Sequence, residues 1–212
     1  VDDVYAYVMT RYLKEQNDSK IESDAAISRV LLAGGFTVQA EQTYEFPVSF
    51  QLPLHTPVTL GRTPVWIQTG LEIKEAIDPK DQDYLHVQPH PHCAAVLEAV
   101  SELGFLLRDV SNEYSPYYGK TNGQPFVQEF EFVPTSQFQG QLDELEIIFY
   151  PDDEGVSLLL QIDRKARGLA GWLAEATDAD ERFVMLRFNR QQLASGARAI
   201  AGRLTETILR HL

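Results

Sequence analysis

The sequence has a single cysteine and far fewer basic than acidic residues. Because Cys93 has no partner within the chain, an intramolecular disulfide is excluded and a reducing compartment is expected. The 18 Lys and Arg residues are outnumbered by 31 Asp and Glu residues, which gives a formal net charge of −13. This excess opposes binding to nucleic-acid phosphates and to anionic lipid, so we expect neither partner.

Long apolar runs are also missing. No stretch approaches the roughly 20 apolar residues of a membrane-spanning helix, and residues 1–13 lack the basic start and cleavage site of a signal peptide. We therefore predict a cytoplasmic protein with no integral membrane segment. The chain also lacks an initiator methionine and begins on a strand-like run at residues 4–13. From this we expect that the first strands of the natural protein lie upstream.

The clearest pattern that is present is a strict alternation of apolar and polar residues from position 44 to position 52. A period of two is typical of a strand with one face on a core. A second alternating run follows at residues 65–73. Together they predict one wall of an antiparallel β-sandwich, with four core candidates: Phe46, Val48, Phe50 and Trp66.

The remaining patterns predict more strands and a few helices. Strands are expected at residues 4–13, 27–33, 84–87, 105–110, 126–132, 145–150, 156–162 and 183–188. Helical spacing of Val96, Val100 and Leu103, followed by Gly104 as a C-cap, predicts one helix, and residues 164–176 predict another. A polar turn is expected at residues 78–83.

Residues 191–212 predict a C-terminal amphipathic helix. Its apolar stripe consists of Leu193, Ala197, Ile200, Leu204 and Ile208. The stripe either packs on the protein's own sandwich or mediates self-association. Arginines on the other faces (Arg198, Arg203 and Arg210) suit docking on an acidic body within or between subunits.

A change of pattern near Pro89 and Pro91 suggests a hinge, since proline-flanked polar segments make semi-rigid spacers. We predict an N-terminal sandwich at residues 1–88 that lacks its first strands. A second sandwich is predicted at residues 89–190, followed by the helix at 191–212.

Two groups of side chains resemble metal ligands. His86, His90, His92 and Cys93 are close in sequence and of the types that bind zinc. However, the prolines break helical spacing and no second cluster completes a tetrahedron, so a solvated hinge is favoured. Asp78, Asp81 and Asp83 offer oxygen ligands for calcium but lack the EF-hand pattern. These three residues are predicted as a charged surface turn, and Asp152, Asp153 and Glu154 as a hairpin tip.

A catalytic constellation is not evident in the sequence. No G-x-S-x-G motif occurs, and Cys93 at a helix start is more typical of a packed thiol than of a nucleophile. Glu129 and Glu131 share a strand face about 7 Å apart, which suits acid/base chemistry but also follows from ordinary surface alternation. Gly34-Gly35 and Gly168/Gly171 match no nucleotide fingerprint. We predict no catalytic, cofactor or metal residues and no enzyme activity.

Four segments of the chain carry characteristic motifs. They are residues 46–91, 103–111, 125–150 and 163–176, and they include FPVSFQLP (46–53) and PFVQEFEFVP (125–134). Together these segments resemble the bacterial sporulation-control (SpoOM) family. The resemblance implies an arrestin-like architecture of two β-sandwiches joined by a short hinge. It also implies a cytoplasmic, non-enzymatic regulatory role.

Taken together, these features predict a mainly β protein that acts as an adaptor. Exposed sheet edges need to be covered or paired, so we expect binding of protein partners and a homodimer. The alternative is an acidic-site hydrolase or a β-sandwich module that binds a small ligand or a metal through Glu129, Glu131 or the acidic turns.

Overall fold

A computed structural model gives the fold of the chain. It describes residues 3–17, 19–37, 39, 41–71, 80–163 and 183–212. Over these residues, nine strands form one hydrogen-bonded sheet, accompanied by a few helices. The predicted mainly β class is confirmed, whereas the single helix predicted at residues 191–212 is divided into two helices, Arg190–Ala194 and Ala197–His211.

The N-terminal strands pair in the order β4-β3-β1-β2. Their bounds are β1 Val4–Gln16, β2 Ser19–Ala33, β3 Val65–Leu71 and β4 Lys80–Leu85. Strands β1 and β2 form an antiparallel hairpin, and β3 pairs with the other side of β1. Both hairpin strands extend well beyond their predicted ends.

The C-terminal strands pair antiparallel in the order β5-β6-β7-β8-β9. Their bounds are β5 Phe105–Tyr114, β6 Phe126–Pro134, β7 Glu144–Asp152, β8 Gly155–Asp163 and β9 Phe183–Asn189. The helices are α1 Pro91–Glu102, α2 Pro116–Gly119, α3 Arg190–Ala194 and α4 Ala197–His211, with a 3-10 turn at Lys120–Asn122. The hairpin predicted around residues 151–155 is confirmed between β7 and β8.

The two groups of strands meet at the end of β1. Leu13 pairs with Glu113 of β5 in a short parallel bridge. The side chain of Asn112 donates hydrogen bonds to the Thr10 hydroxyl at 3.0 Å and to the Arg11 carbonyl oxygen at 2.8 Å. These bonds hold the groups together, whereas the tandem of arrestin-like sandwiches and the domain bounds stay predictions.

The larger hydrophobic core lies on one face of the C-terminal strands and is covered by α1 and α4. The apolar stripe of α4 is part of this core, with Ile200, Leu204 and Ile208 buried. Of the two alternatives left open by the sequence, the helix therefore packs on its own chain. Helix α1 ends where predicted, and Gly104 follows it with φ +77°, a conformation that favours glycine.

The predicted strand at residues 44–52 is wrong. These residues form no strand, and Phe46 and Val48 are 37% and 47% exposed instead of lying in a core. Only the end of the run, Phe50 and Leu52, packs against the small N-terminal core of Val8, Ile27 and Val65. Pro47 lacks an amide donor, and an irregular extended chain shows the same period of two as a strand. Trp66, the fourth candidate, is buried as predicted.

Other expectations near the sequence centre need correction or lie outside the described residues. The turn predicted at 78–83 is wrong from position 80 onward, because residues 80–85 form β4. The predicted helix at 164–176, with Gly168 and Gly171, lies outside the described residues, as do Ile73 and Asp78.

Candidate functional site

The histidines that were considered as zinc ligands lie at and before the start of α1. His90 is the N-cap residue, and its Nδ1 accepts a hydrogen bond from the amide of His92 at 3.2 Å. His92 Nδ1 lies 3.0 Å from the carbonyl oxygen of Gly155, and His86 Nδ1 lies 3.0 Å from the hydroxyl of Thr59. At least one ring nitrogen of each histidine is therefore engaged by a protein group, and His86 Nε2 also contacts the side-chain amide of Gln88.

Cys93 is buried in the first turn of α1. Burial raises the pKa of its thiol to about 12, because the thiolate would lose its hydration. A helix N-terminus favours a thiolate, but burial dominates at this position. Cys93 is therefore a neutral thiol at neutral pH, which suits packing and not nucleophilic attack.

The two glutamates proposed as an acid/base pair are brought together with a third. Glu129 and Glu131 on β6 and Glu146 on β7 have carboxylate oxygens that all lie within 4.8 Å of one another. Glu131 is directly opposite Glu146 in the strand pairing. Surface alternation predicted solvent exposure for the pair, and this is wrong for Glu129, which is 1% exposed. We call Glu129, Glu131 and Glu146 the carboxylate cluster.

A neighbouring arginine and a bound proton offset the charge of the carboxylate cluster. Arg108 Nη2 lies 2.8 Å from a carboxylate oxygen of Glu131 and 2.7 Å from one of Glu144. Burial and the nearby Glu129 raise the pKa of Glu146 to about 10. Glu146 is therefore protonated at neutral pH. Carboxylate oxygens are also ligands that hard cations prefer, so the cluster could hold a metal ion.

Sequence reasoning missed Glu144 and Glu146, although a signal was present. A Glu-x-Glu pattern lies within the predicted strand at 126–132, at residues 129–131, and another overlaps the start of the strand predicted at 145–150, at residues 144–146. Neighbouring strands of a sheet bring such patterns side by side when the register matches. The register of β6 against β7 depends on the loop between them. Because this loop is not a tight turn, the sequence alone does not determine the register.

The aspartates considered for calcium lie on the edge strand β4. Asp81 and Asp83 are exposed and pair in register with Thr69 and Ile67 of β3. The Asp81 carboxylate accepts a hydrogen bond from the amide of Gln82 at 3.0 Å. Asp81 and Asp83 therefore share one face of an exposed edge strand and do not belong to a turn.

The acidic hairpin tip has a structural role. Arg187 on β9 donates to both carboxylate oxygens of Asp152, at 2.8 and 2.9 Å. This bidentate contact, together with the amide of Glu154, lowers the pKa of Asp152 to about 2. Asp153 and Glu154 are exposed at the tip. The hairpin interpretation accounts for all three acidic residues.

A cleft of about 400 Å³ opens between the loop that precedes β3, the connection to α1 and the C-terminal strands. Its walls are residues 52–58, residues 86–90 with Cys93, and side chains of β6 and β7. The side chain of Gln128 ties two walls together, because it accepts from the Val58 amide at 2.9 Å and donates to the Val58 carbonyl at 2.8 Å. The carboxylate cluster is not part of the lining.

Comparisons with known proteins place the chain in a family. The sequence profile of the SpoOM protein family matches residues 1–166. The chain belongs to the SpoOM family. It is 43% identical over 185 residues to the sporulation-control protein spo0M of Bacillus subtilis (strain 168), covering 87% of this chain and 71% of that protein. The predicted family is confirmed.

The fold is also shared with a solved member of the family. The crystal structure of the sporulation control protein Spo0M from Bacillus subtilis superposes with a TM-score of 0.91 at 38% identity. The match covers 100% of this chain and 85% of that chain. In the described part of the chain, no helix is long and apolar enough to cross a membrane.

Proposed function

We propose that this SpoOM-family chain is a non-enzymatic cytoplasmic adaptor that regulates other proteins by binding them. The name of its Bacillus subtilis relative, a sporulation-control protein, supports a regulatory role. The net charge of −13 and the single, buried cysteine suit a reducing cytoplasm and a protein partner instead of nucleic acid.

The observation that carries the proposal is an apolar segment (residues 44–54) that the protein leaves partly uncovered. Tyr44, Phe46, Val48 and Leu54 on this segment are all exposed large apolar side chains. The ring of Phe36 lies 5.1 Å from that of Tyr44 and 5.3 Å from that of Phe46. A contiguous exposed apolar patch of this kind marks a protein–protein contact more often than ordinary surface.

The anchoring of the apolar segment supports a binding role. Phe50 and Leu52 pack on the small N-terminal core, so the segment is fixed at one end while Phe46 and Val48 face outward. A partner would then meet aromatic side chains whose positions are already restricted. Pre-organisation of this kind lowers the entropy cost of binding.

The sheet edges offer a second kind of contact. Strands β4 and β9 end the path of the sheet, and β2 pairs with β1 alone among the described strands. An unpaired edge can accept a strand from a partner or from a second copy. Because the stripe of α4 is buried in its own chain, a homodimer would use an edge or the apolar segment instead of this helix.

The alternative hydrolase has less support. Its acid/base pair would come from the carboxylate cluster, which is mostly buried within the sheet and lies outside the cleft. A general acid must reach the substrate atom that it protonates. The burial of the carboxylate cluster and its position outside the cleft therefore support an adaptor over a hydrolase.

Affinity capture with matched variants tests the proposed function. The wild-type chain, a Phe46→Ser/Val48→Ser variant and a Leu209→Ser variant would each be used to capture and crosslink proteins from the native cytoplasm. Leu209 is an equally apolar, exposed residue on α4, so its variant controls for a general loss of surface hydrophobicity. We expect the wild type and Leu209→Ser to recover the same proteins, and the double variant to lose them. Equal recovery by all three, or turnover of a small molecule without any captured protein, would overturn the proposal.

A further inference from the structure

The cleft has a composition unlike the rest of the molecule. The chain contains 18 Lys and Arg and 31 Asp and Glu residues, yet among the described residues none of these types lines the cleft. Burial lowers the pKa of His55 and of His90, two of the three histidines in the lining, and so favours their neutral forms. The described lining therefore offers no carboxylate, ammonium or guanidinium group to pair with an ionic ligand.

The walls favour an apolar occupant. Three aromatic rings come from β6 and β7, namely Phe126, Phe130 and Phe149, and aliphatic side chains come from residues 52–58 and from Ile148. A volume of about 400 Å³ lies within the roughly 300–1,000 Å³ that is typical of small-molecule sites in proteins. An ion placed here would lose its hydration without compensation, whereas an uncharged apolar molecule would gain from leaving water.

We propose that this cleft is a binding site for an uncharged, mostly apolar small molecule. Such a ligand would contact the loop at residues 52–58, the connection at residues 86–90 and strands β6 and β7 at once. Binding would therefore stabilise the arrangement of these elements relative to one another. The cleft shares residues 52–54 with the apolar segment but contains neither Phe46 nor Val48, and the proposal does not depend on the proposed adaptor function.

The test uses an uncharged fluorescent probe and a pair of competitors that differ only in charge. Nile red would be titrated into the full chain, and decanol and decanoate would then be compared as displacing agents. We expect saturable binding of Nile red, with decanol displacing it at a concentration about tenfold or more below that of decanoate. This comparison uses the wild type alone, so it does not rely on the folding of any variant.

Two matched variants locate the site. Gln124 lines the cleft, while Gln82 is exposed on β4 outside it. We expect Gln124→Trp to weaken Nile red binding about tenfold by filling the cleft, and Gln82→Trp to leave it unchanged. The Phe46→Ser/Val48→Ser variant is expected to bind Nile red as the wild type does.

Three results would overturn the proposal. The first is the absence of saturable binding at the cleft. A loss of binding in the Phe46→Ser/Val48→Ser variant counts as this result, because it would assign the probe to the apolar segment. The second is displacement by decanoate as efficient as displacement by decanol. The third is displacement by an apolar peptide but not by decanol, which would make the cleft a site for a protein side chain.

Discussion

The C-terminal helix and the apolar segment have equally regular apolar patterns but opposite outcomes in the structure. On α4, the stripe repeats every three or four residues, and Leu204 in its centre is fully buried. On residues 44–54, apolar residues alternate just as regularly, yet Phe46 and Val48 remain largely exposed. The helix meets a complementary face made by α1 and the C-terminal strands, whereas only the end of the segment meets a core.

A periodic apolar pattern therefore predicts which side chains point to the same face. It does not predict whether another part of the same chain packs on that face. Where the protein supplies a cover, the pattern stabilises the fold. Where it does not, the apolar surface is available to another molecule. The apolar segment is therefore the surface on which a partner is expected, and α4 is not.

The largest effect is expected from a matched pair of leucines on α4. Leu204 is 0% exposed and Leu209 is 55% exposed. We expect Leu204→Ala to lower the free energy of unfolding by about 2–5 kcal/mol, because it removes buried methyl groups and leaves a cavity. Leu209→Ala should change it by less than about 0.5 kcal/mol. Equal losses in urea denaturation would contradict the burial of the stripe within its own chain.

The second expected effect is the pH dependence of stability that results from a buried ionisable side chain, Glu146. The pKa of Glu146 is about 10 in the folded chain, against an ordinary value of 4.5. Between these values the folded chain holds a proton that the unfolded chain has released. The contribution of this proton to the free energy of unfolding is complete below pH 4.5. It decreases by about 1.4 kcal/mol per pH unit as the pH rises toward 10.

The Glu146→Gln variant tests this linkage, because glutamine keeps the shape of the protonated side chain and does not titrate. We expect the variant to lose less stability than the wild type between pH 6 and pH 9 in denaturant titrations at about unit intervals. Glu98→Gln on the exposed face of α1 is the control and should follow the wild type. Parallel curves for all three proteins would show that Glu146 is ionised in the folded chain.

The smallest effect on stability is expected in the apolar segment. Because Phe46 and Val48 are 37% and 47% exposed, Phe46→Ser/Val48→Ser should lower the free energy of unfolding by about 1 kcal/mol or less per substitution, well below the loss from Leu204→Ala. Thermal and urea unfolding measure this directly. A loss comparable with that of Leu204→Ala would mean that these side chains lie in a core after all.

The sequence predicted the elements of the C-terminal half well. Helix α1 and its C-cap at Gly104, the β7–β8 hairpin and the stripe of α4 depend on local patterns, and all were confirmed. The N-terminal half was predicted less well because its main pattern was ambiguous. An extended irregular segment and a strand share the period of two, and only the hydrogen bonds distinguish them.

The burial and grouping of the site residues depend on contacts between residues that are far apart in sequence. Glu129 and Glu131 were noticed as a pair, but their burial and the approach of Glu146 follow from the register of β6 and β7. Likewise, the cleft combines residues 52–58, residues 86–90 and strands that are far apart in the chain. No local sequence pattern predicts a cleft that is formed by residues so far apart in the chain.

Photo-crosslinking from single positions tests the central claim most directly. A photoreactive phenylalanine analogue would be placed at Phe46 in one protein and at Leu209 in another, each in the full chain in its native cytoplasm. The account predicts a discrete crosslinked partner from position 46, including a second copy of the chain if a homodimer forms, and none from position 209. Crosslinks from position 209 alone, or none from position 46 at any expression level, would contradict it.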